Sequence, residues 1–145
     1  MIDNTNTLLL PYRKIFMNND ISKLSAHLED YLETISSLSS ESGTARPTDI
    51  AKALNVKKPS VTAALNALSE KGYVIYSKYK PVILTEKGEI VAKNVHRKHQ
   101  LLRSFFIDIL KVDSAEADIA ACKMEHALND DIMLKLIDFL KTLSK

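Results

Sequence analysis

The chain of 145 residues has a single cysteine, three glycines and four prolines. One cysteine excludes an internal disulfide framework and fits a reducing compartment. So few helix breakers leave room for long helices, and no low-complexity tract or internal repeat interrupts them. A dominant charge sign is lacking as well: 20 basic against 18 acidic residues give a formal net charge of +2, too little to signal nucleic acid by bulk attraction. Any argument for DNA must therefore rest on where the charges sit. No apolar run is long enough to span a bilayer; "TLLLPYRKIF" comes nearest, and Pro11 and Arg13 cut it short. It also lacks the basic start and small-residue cleavage site of a secretory signal. The expectation is a cytoplasmic protein without membrane contact, of the ordinary soluble composition that 46% hydrophobic and 26% charged residues describe.

What is present is mostly helical periodicity. Residues 1–21 stand apart as an N-terminal extension, because "MNNDISKLS" offers several helix-capping residues before the next periodic segment. Leu24, Leu28, Tyr31, Leu32, Ile35 and Leu38 then recur at helical spacing, predicting an amphipathic helix from about Ser22 to Ser40 that Gly43 closes. "PTDIAKALN" reads as a short helix with Ile50, Ala53 and Leu54 turned inward. "PSVTAALNALSEKG" follows, with Pro59 in its first turn, Val61, Leu65 and Leu68 as its apolar stripe, and Gly72 at its end. The period changes in "YVIYSKYKPVILT", whose β-branched and aromatic residues predict a two-stranded hairpin with a basic tip. Beyond it, helices are expected from about Glu86 to Leu110, from an Asp113 or Ser114 cap to about Leu128, and from an Asn129 or Asp130 cap onward. The last of these turns Met133, Leu136, Ile137, Leu140 and Leu143 inward.

Helix, short helix, turn, helix and two-stranded wing is the order of a winged helix-turn-helix. The fold class is mainly α, with a DNA-binding domain over 22–85 and a helical region over 86–145. In such a unit the second helix of the pair enters the major groove. The turn before it carries Lys57 and Lys58, its first turn carries Ser60 and Thr62, and the wing tip adds Lys78 and Lys80. Hydroxyls at a helix N-terminus suit phosphate oxygens, and lysines supply attraction that ignores sequence. Each lysine alone reads best as part of a solvated face; as a set at both tips of one unit they read as a DNA surface.

A second group of residues carries ligand chemistry. On a helix of about 3.6 residues per turn, Cys122, Glu125 and His126 of "ACKMEHALND" share one face, which Asp118 and Asn129 extend. Ala117, Ala121, Met124 and Leu128 form the opposite, core-like stripe. A solvated flank is a natural reading for Glu125 and His126, less so for Cys122, because free cysteine prefers burial. Asp30 and Glu33 share a face of the first helix and, taken alone, read as a solvated acidic flank. His99 lies on an apolar stripe with Val91, Val95, Leu102 and Phe106, where a histidine is more often a satisfied core residue than a ligand. If the three helices pack together, two imidazoles, three carboxylates and a thiol suit a borderline divalent metal such as Mn, Fe, Co, Ni or Zn. Spacing permits that convergence without requiring it.

Taken in order, "EDYLETI", "DIAKALNVKKPSVTAALNALSEKGYVIYSKYKPVILTEKGE", "RKHQLLRSFF" and "ACKMEHAL" resemble the diphtheria-toxin-repressor and manganese-transport-regulator family of metal-dependent bacterial repressors. The likeness runs from about Leu24 to Leu128 and is that of the short members, which lack an SH3-like domain. It implies a winged helix-turn-helix followed by a helical metal-binding and dimerisation domain over 86–145. It also implies a metal site built from Asp30, Glu33, His99, Cys122, Glu125 and His126. The signature is mixed: Cys122 matches the iron-type members, Asp30 the manganese type. Arg103 and Asp118 depart from the iron-type pattern, which places a glutamate and a second histidine of an ancillary site there. One firm site per subunit is therefore expected, with Arg103 tolerable only if Asp118 or another carboxylate pairs with it.

The function so implied is a homodimeric repressor of metal-homeostasis genes that binds a palindromic double-stranded operator when loaded with Mn2+ or Fe2+, with Co2+, Ni2+ or Zn2+ able to substitute in vitro. Thiolate softness at Cys122 leans the site toward Fe, Co or Zn. Metal binding would select the dimer geometry that fits two half-sites. Pro59, Ala63 and Asn66 are then the candidates for base-edge contact, Ala63 offering only an apolar touch to a thymine methyl. Lys57, Lys58, Ser60, Thr62, Lys78 and Lys80 would mainly hold phosphates. A rival keeps the winged helix but answers to a small organic ligand or to oxidation of Cys122. A hydrolase using Cys122 with a histidine base has neither a Gly-rich anion loop nor an "HExxH" helix behind it, so no enzyme is expected.

Overall fold

The computed structural model describes residues 24–143, so the expected N-terminal extension lies outside the described residues. The chain divides into two compact units, one of Lys23–Val95 and one containing His96–Lys145. No helix among the described residues is long and apolar enough to cross a membrane.

In the first unit, α1 spans Ala26–Ser42. It starts later than the periodicity predicts because Ser25 is the cap, its Oγ accepting the Leu28 N–H at 3.3 Å. Gly43, at φ 82°, ends it in the left-handed conformation that glycine adopts without cost. Tyr31, Leu32 and Ile35 are buried, and burying each aliphatic side chain stabilises the unit by roughly 1.5–3 kcal/mol. Next comes α2, Pro47–Leu54, whose inward side is led by Ile50. Ala53, expected inward, is exposed, and Ala51 is the half-buried alanine instead. Asn55 turns the chain at φ 53°, a left-handed conformation that asparagine tolerates. The third helix, α3, is Lys58–Glu70, with Pro59 in its first turn and Val61, Ala64, Leu65 and Leu68 buried.

The wing is short. Strands β1 (Val74–Ile75) and β2 (Ile83–Leu84) pair antiparallel, Val74 opposite Leu84 and Ile75 opposite Ile83. Ala45 joins them through an isolated bridge, its carbonyl accepting the Val82 N–H at 2.7 Å. A single paired residue has no period, so the sequence carries no sign of it.

Helix α4, Glu86–Ser104, leaves the wing through Thr85. The Thr85 hydroxyl donates to the Gly72 carbonyl at 2.7 Å and accepts from the Gly88 N–H at 3.2 Å, so it caps the helix as it ties it to the end of α3. Gly88 is buried against Tyr73, and a Cβ there would fall on the Tyr73 carbonyl oxygen.

In the second unit α4 continues into a π-helical turn, Phe105–Ile109, and the chain leaves the helix at Leu110 as the periodicity predicts. Helix α5 spans Ser114–Met124 behind an Asp113 cap, and α6 spans Asp130–Thr142 behind Asn129, whose Oδ1 accepts the Ile132 N–H at 2.9 Å. Their core is Leu101, Leu102, Ala121, Met133, Ile137 and Leu140, with Phe105, Phe106, Leu128 and Leu136 packed against it and partly buried. Two residues expected inward are exposed: Met124, at the last turn of α5, and Leu143, which lies past the end of α6.

Replacing Gly88 by Ala should destabilise the protein by about 1–3 kcal/mol, because a backbone carbonyl cannot rotate away as a side chain can. A lower midpoint of urea unfolding measures this, and an unchanged or raised midpoint, the usual result for Gly to Ala in a helix, would refute the close approach.

Candidate metal centre and nucleic-acid surface

The residues predicted to meet DNA all lie in the first unit and all face solvent. Lys57, Lys58, Pro59, Ser60, Thr62, Ala63 and Asn66 are exposed along the entry and outer side of α3. No side chain caps this helix: Lys57 occupies the cap position in extended geometry, and its carbonyl accepts the Ser60 and Val61 N–H groups at 3.0 and 3.3 Å. The Thr62 hydroxyl bonds back to the Lys58 carbonyl at 3.2 Å, which fixes its rotamer and leaves its oxygen free to accept. At the wing tip Lys78 and Lys80 are exposed on either side of Tyr79. Sequence reasoning passed over Tyr79. It is 89% exposed, holds a left-handed φ of 66°, and carries the Lys78 Nζ 5.2 Å from its ring centroid.

The second unit brings three of the predicted ligands together. His99 Nδ1, Cys122 Sγ and a Glu125 oxygen all lie within 4.8 Å of one another. His99 Nδ1 is 2.8 Å from Glu125 Oε2 and 3.6 Å from Cys122 Sγ. Glu125 is only 2% exposed, and its other oxygen, Oε1, meets His126 Nε2 at 3.3 Å. The shared helical face expected for Cys122, Glu125 and His126 needs correction, because α5 ends at Met124. Glu125 keeps helical geometry, its N–H reaching the Ala121 carbonyl, but His126 sits in a turn. There the Ala127 and Leu128 N–H groups both return to the Met124 carbonyl. Glu125 is thus buried where a solvated flank was the alternative, while Cys122, expected to prefer burial, is exposed. Asn129, placed by sequence both at the end of this stripe and as a candidate cap of the last helix, caps α6.

On the other side of the imidazole, His99 Nε2 is 2.8 Å from Asp118 Oδ1. The same oxygen accepts from Arg103 Nε at 3.3 Å, so Arg103 has the carboxylate partner that the sequence demanded of it. His96, a competing histidine by sequence, is exposed. Asp30 and Glu33 lie three residues apart on α1 of the first unit, each half-buried.

A neutral imidazole has one donor and one acceptor nitrogen, and a carboxylate only accepts. Nδ1 and Glu125 Oε2 therefore stand this close only with positive charge between them, a proton or a metal ion. A nitrogen, a sulfur and a carboxylate oxygen suit a borderline divalent transition metal, so the donor set fits one.

Two family models match the chain: the iron dependent repressor N-terminal DNA binding domain over residues 23–82, and the iron dependent repressor metal binding and dimerisation domain over residues 85–145. The chain belongs to the iron-dependent repressor family. Members are metal-responsive DNA-binding transcriptional repressors, and that is the functional class of this protein. Among its relatives, an uncharacterised helix-turn-helix-type transcriptional regulator of Methanocaldococcus jannaschii is 40% identical over 121 residues, 81% of this chain and 95% of the relative. The regulator MntR of Shouchella clausii is 35% identical, with 79% of each chain covered. Among solved structures, that of the manganese regulator SloR matches with a TM-score of 0.67 at 31% identity, covering 78% of this chain and 53% of that one. A manganese-dependent transcriptional repressor in complex with manganese matches with a TM-score of 0.70 at 25% identity, covering 78% and 52%. The chain spans about half the length of these solved relatives.

One buried cation of the family's metal-binding domain was not singled out from sequence. Lys98 carries Nζ 3.2 Å from the Leu128 carbonyl and 3.1 Å from Asp130 Oδ1, closing the turn that follows Glu125 and His126. Its only sequence signal is its helical spacing with Val91, Val95 and Leu102, which puts a lysine on an apolar stripe. Lys98→Met keeps the stem and removes both bonds, so thermal unfolding should report a loss of about 1.5–3 kcal/mol, the range for hydrogen bonds to charged groups. A variant as stable as the parent would show that the turn does not depend on this lysine.

Proposed function

We propose that this protein represses metal-homeostasis genes as a homodimer on a palindromic operator, with DNA affinity set by Mn2+ or Fe2+ held by Asp30, Glu33, His99, Cys122, Glu125 and His126. The observation that carries this reading is the convergence of His99 Nδ1, Cys122 Sγ and buried Glu125 on one point. Asp30 and Glu33 enter through the family resemblance and the chemistry of their carboxylates. A bound ion would supply the positive charge that these nitrogen, sulfur and carboxylate donors share. Cys122 and Glu125 hold their donors at adjacent turns of the chain, and His126 backs the second Glu125 oxygen.

The working division is a DNA-binding domain over 22–85 and a metal-binding and dimerisation domain over 86–145. Ile109, Leu110, Ile119, Ile132 and Phe139 are exposed apolar residues of the latter, the composition expected where a second copy binds. In the former, Lys57, Lys58, Lys78 and Lys80 with Ser60 and Thr62 hold phosphates, and Pro59, Ala63 and Asn66 face base edges. The rival reading, oxidation of Cys122 as the signal, is favoured by that thiol's exposure, and anaerobic titration separates the two.

The test is anaerobic binding to operator DNA selected from a random pool by the metal-loaded protein, with free Mn2+, Fe2+, Co2+ and Zn2+ buffered. Affinity should rise at least about tenfold with the activating metal, and Glu125→Ala and His126→Ala should lose that response. Equal affinity with chelator and with every metal would sink the metal reading. In the same assay, replacing both Lys57 and Lys58 by Ala should lower the slope of log affinity against log salt by about 2, one unit for each phosphate that a lysine no longer neutralises. An unchanged slope would remove these lysines from the interface.

A further inference from the structure

We infer that Asp118, steadied by Arg103, is a positioning residue that commits His99 to bind metal through Nδ1. The inference rests on the metal reading above and deepens it.

An imidazole offers a metal either nitrogen, and the hydrogen bond made by the other decides which. Here the two sides of the ring differ in kind. Nδ1 faces Cys122 Sγ and Glu125 Oε2, the other two donors of the cluster. Nε2 faces Asp118 Oδ1 at 2.8 Å, with the Arg103 guanidinium 3.3 Å beyond that same oxygen. A cation approaching the Nε2 side would meet Arg103, whereas on the Nδ1 side it meets a thiol and a buried carboxylate. With Nδ1 given to an ion, the ring would carry its proton on Nε2, where Asp118 Oδ1 accepts it.

Stability does not account for the Arg103–Asp118 pair. Both side chains are about half exposed, and exposed ion pairs contribute little. What the pair does is hold one acceptor oxygen at a fixed place against the ring. The sequence placed Asp118 at the edge of a polar stripe and offered it as a partner for Arg103, but not for His99. Its hydrogen bond with His99 joins residues 19 apart in the chain.

Asp118→Ala and Asp118→Asn separate positioning from a general structural effect, since Asn keeps an oxygen that accepts the Nε2 proton and Ala does not. Co2+ affinity is measured anaerobically by chelator competition, and the His99 proton is located by long-range 1H–15N correlation on the Zn2+-loaded protein. Asp118→Ala should weaken Co2+ binding by about 10- to 100-fold, the range for loss of an outer-shell partner, and Asp118→Asn should recover most of it. The zinc-loaded parent should carry its His99 proton on Nε2. Parental Co2+ affinity in Asp118→Ala, equal losses in both variants, or a His99 proton on Nδ1 would each overturn the inference while leaving the metal reading standing. A parent protein that binds no Co2+ or Zn2+ would overturn both.

Discussion

A ring nitrogen and a buried carboxylate oxygen, His99 Nδ1 and Glu125 Oε2, are held 2.8 Å apart beside a thiol, and the second unit is organised to keep them there. Rigid neighbours hold both partners. Glu125 is fixed by its backbone bond to Ala121 at the end of α5, and His99 by its place on α4, one turn before the core residue Leu102. Lys98, on the preceding residue of the same helix, grips the turn after Glu125 at Leu128 and Asp130. Adjacent residues of α4 thus hold both sides of the ligand-bearing turn, one through a ligand and one through a buried cation.

That arrangement explains why α5 is small on its inward side. Ala117 and Ala121 are fully buried, and their short side chains allow the helix to lie close to its neighbours, bringing Asp118 and Cys122 within reach of the His99 ring. Bulkier residues at these two positions would push the backbone outward. Glu125, four residues after Ala121 and still in helical geometry, continues the same buried stripe, while Met124 beside it is exposed.

The first unit follows a different logic. Its wing has only two residues per strand, too little to stand alone, and it is braced from both ends. Ala45 bonds to Val82 on one side, while Thr85 and Gly88 lock the start of α4 against Gly72 and Tyr73 on the other. The basic tip of Lys78, Tyr79 and Lys80 is carried on that brace. The uncapped start of α3, with its lysines and hydroxyls, is positioned by the left-handed turn at Asn55.

Local periodicity by itself determined the order of helices, the Gly43 cap, the caps at Asp113 and Asn129 to within one residue, the wing and the winged helix-turn-helix class. Each of these depends on residues within a turn or two of one another. The resemblance drawn from those segments named the ligand set, and the pairing demanded of Arg103 was legible from charge alone. Only the tertiary structure decided which nitrogen of His99 faces the ligands, that Glu125 is buried and Cys122 exposed, that His126 leaves the helix, and that Lys98 closes the turn. These depend on partners such as His99 and Glu125, 26 residues apart. Periodicity places each residue on a face of its own helix, but the packing of Ala117, Ala121, Leu101 and Leu102 sets the rotation and distance between helices. Those two quantities fix the atoms that meet.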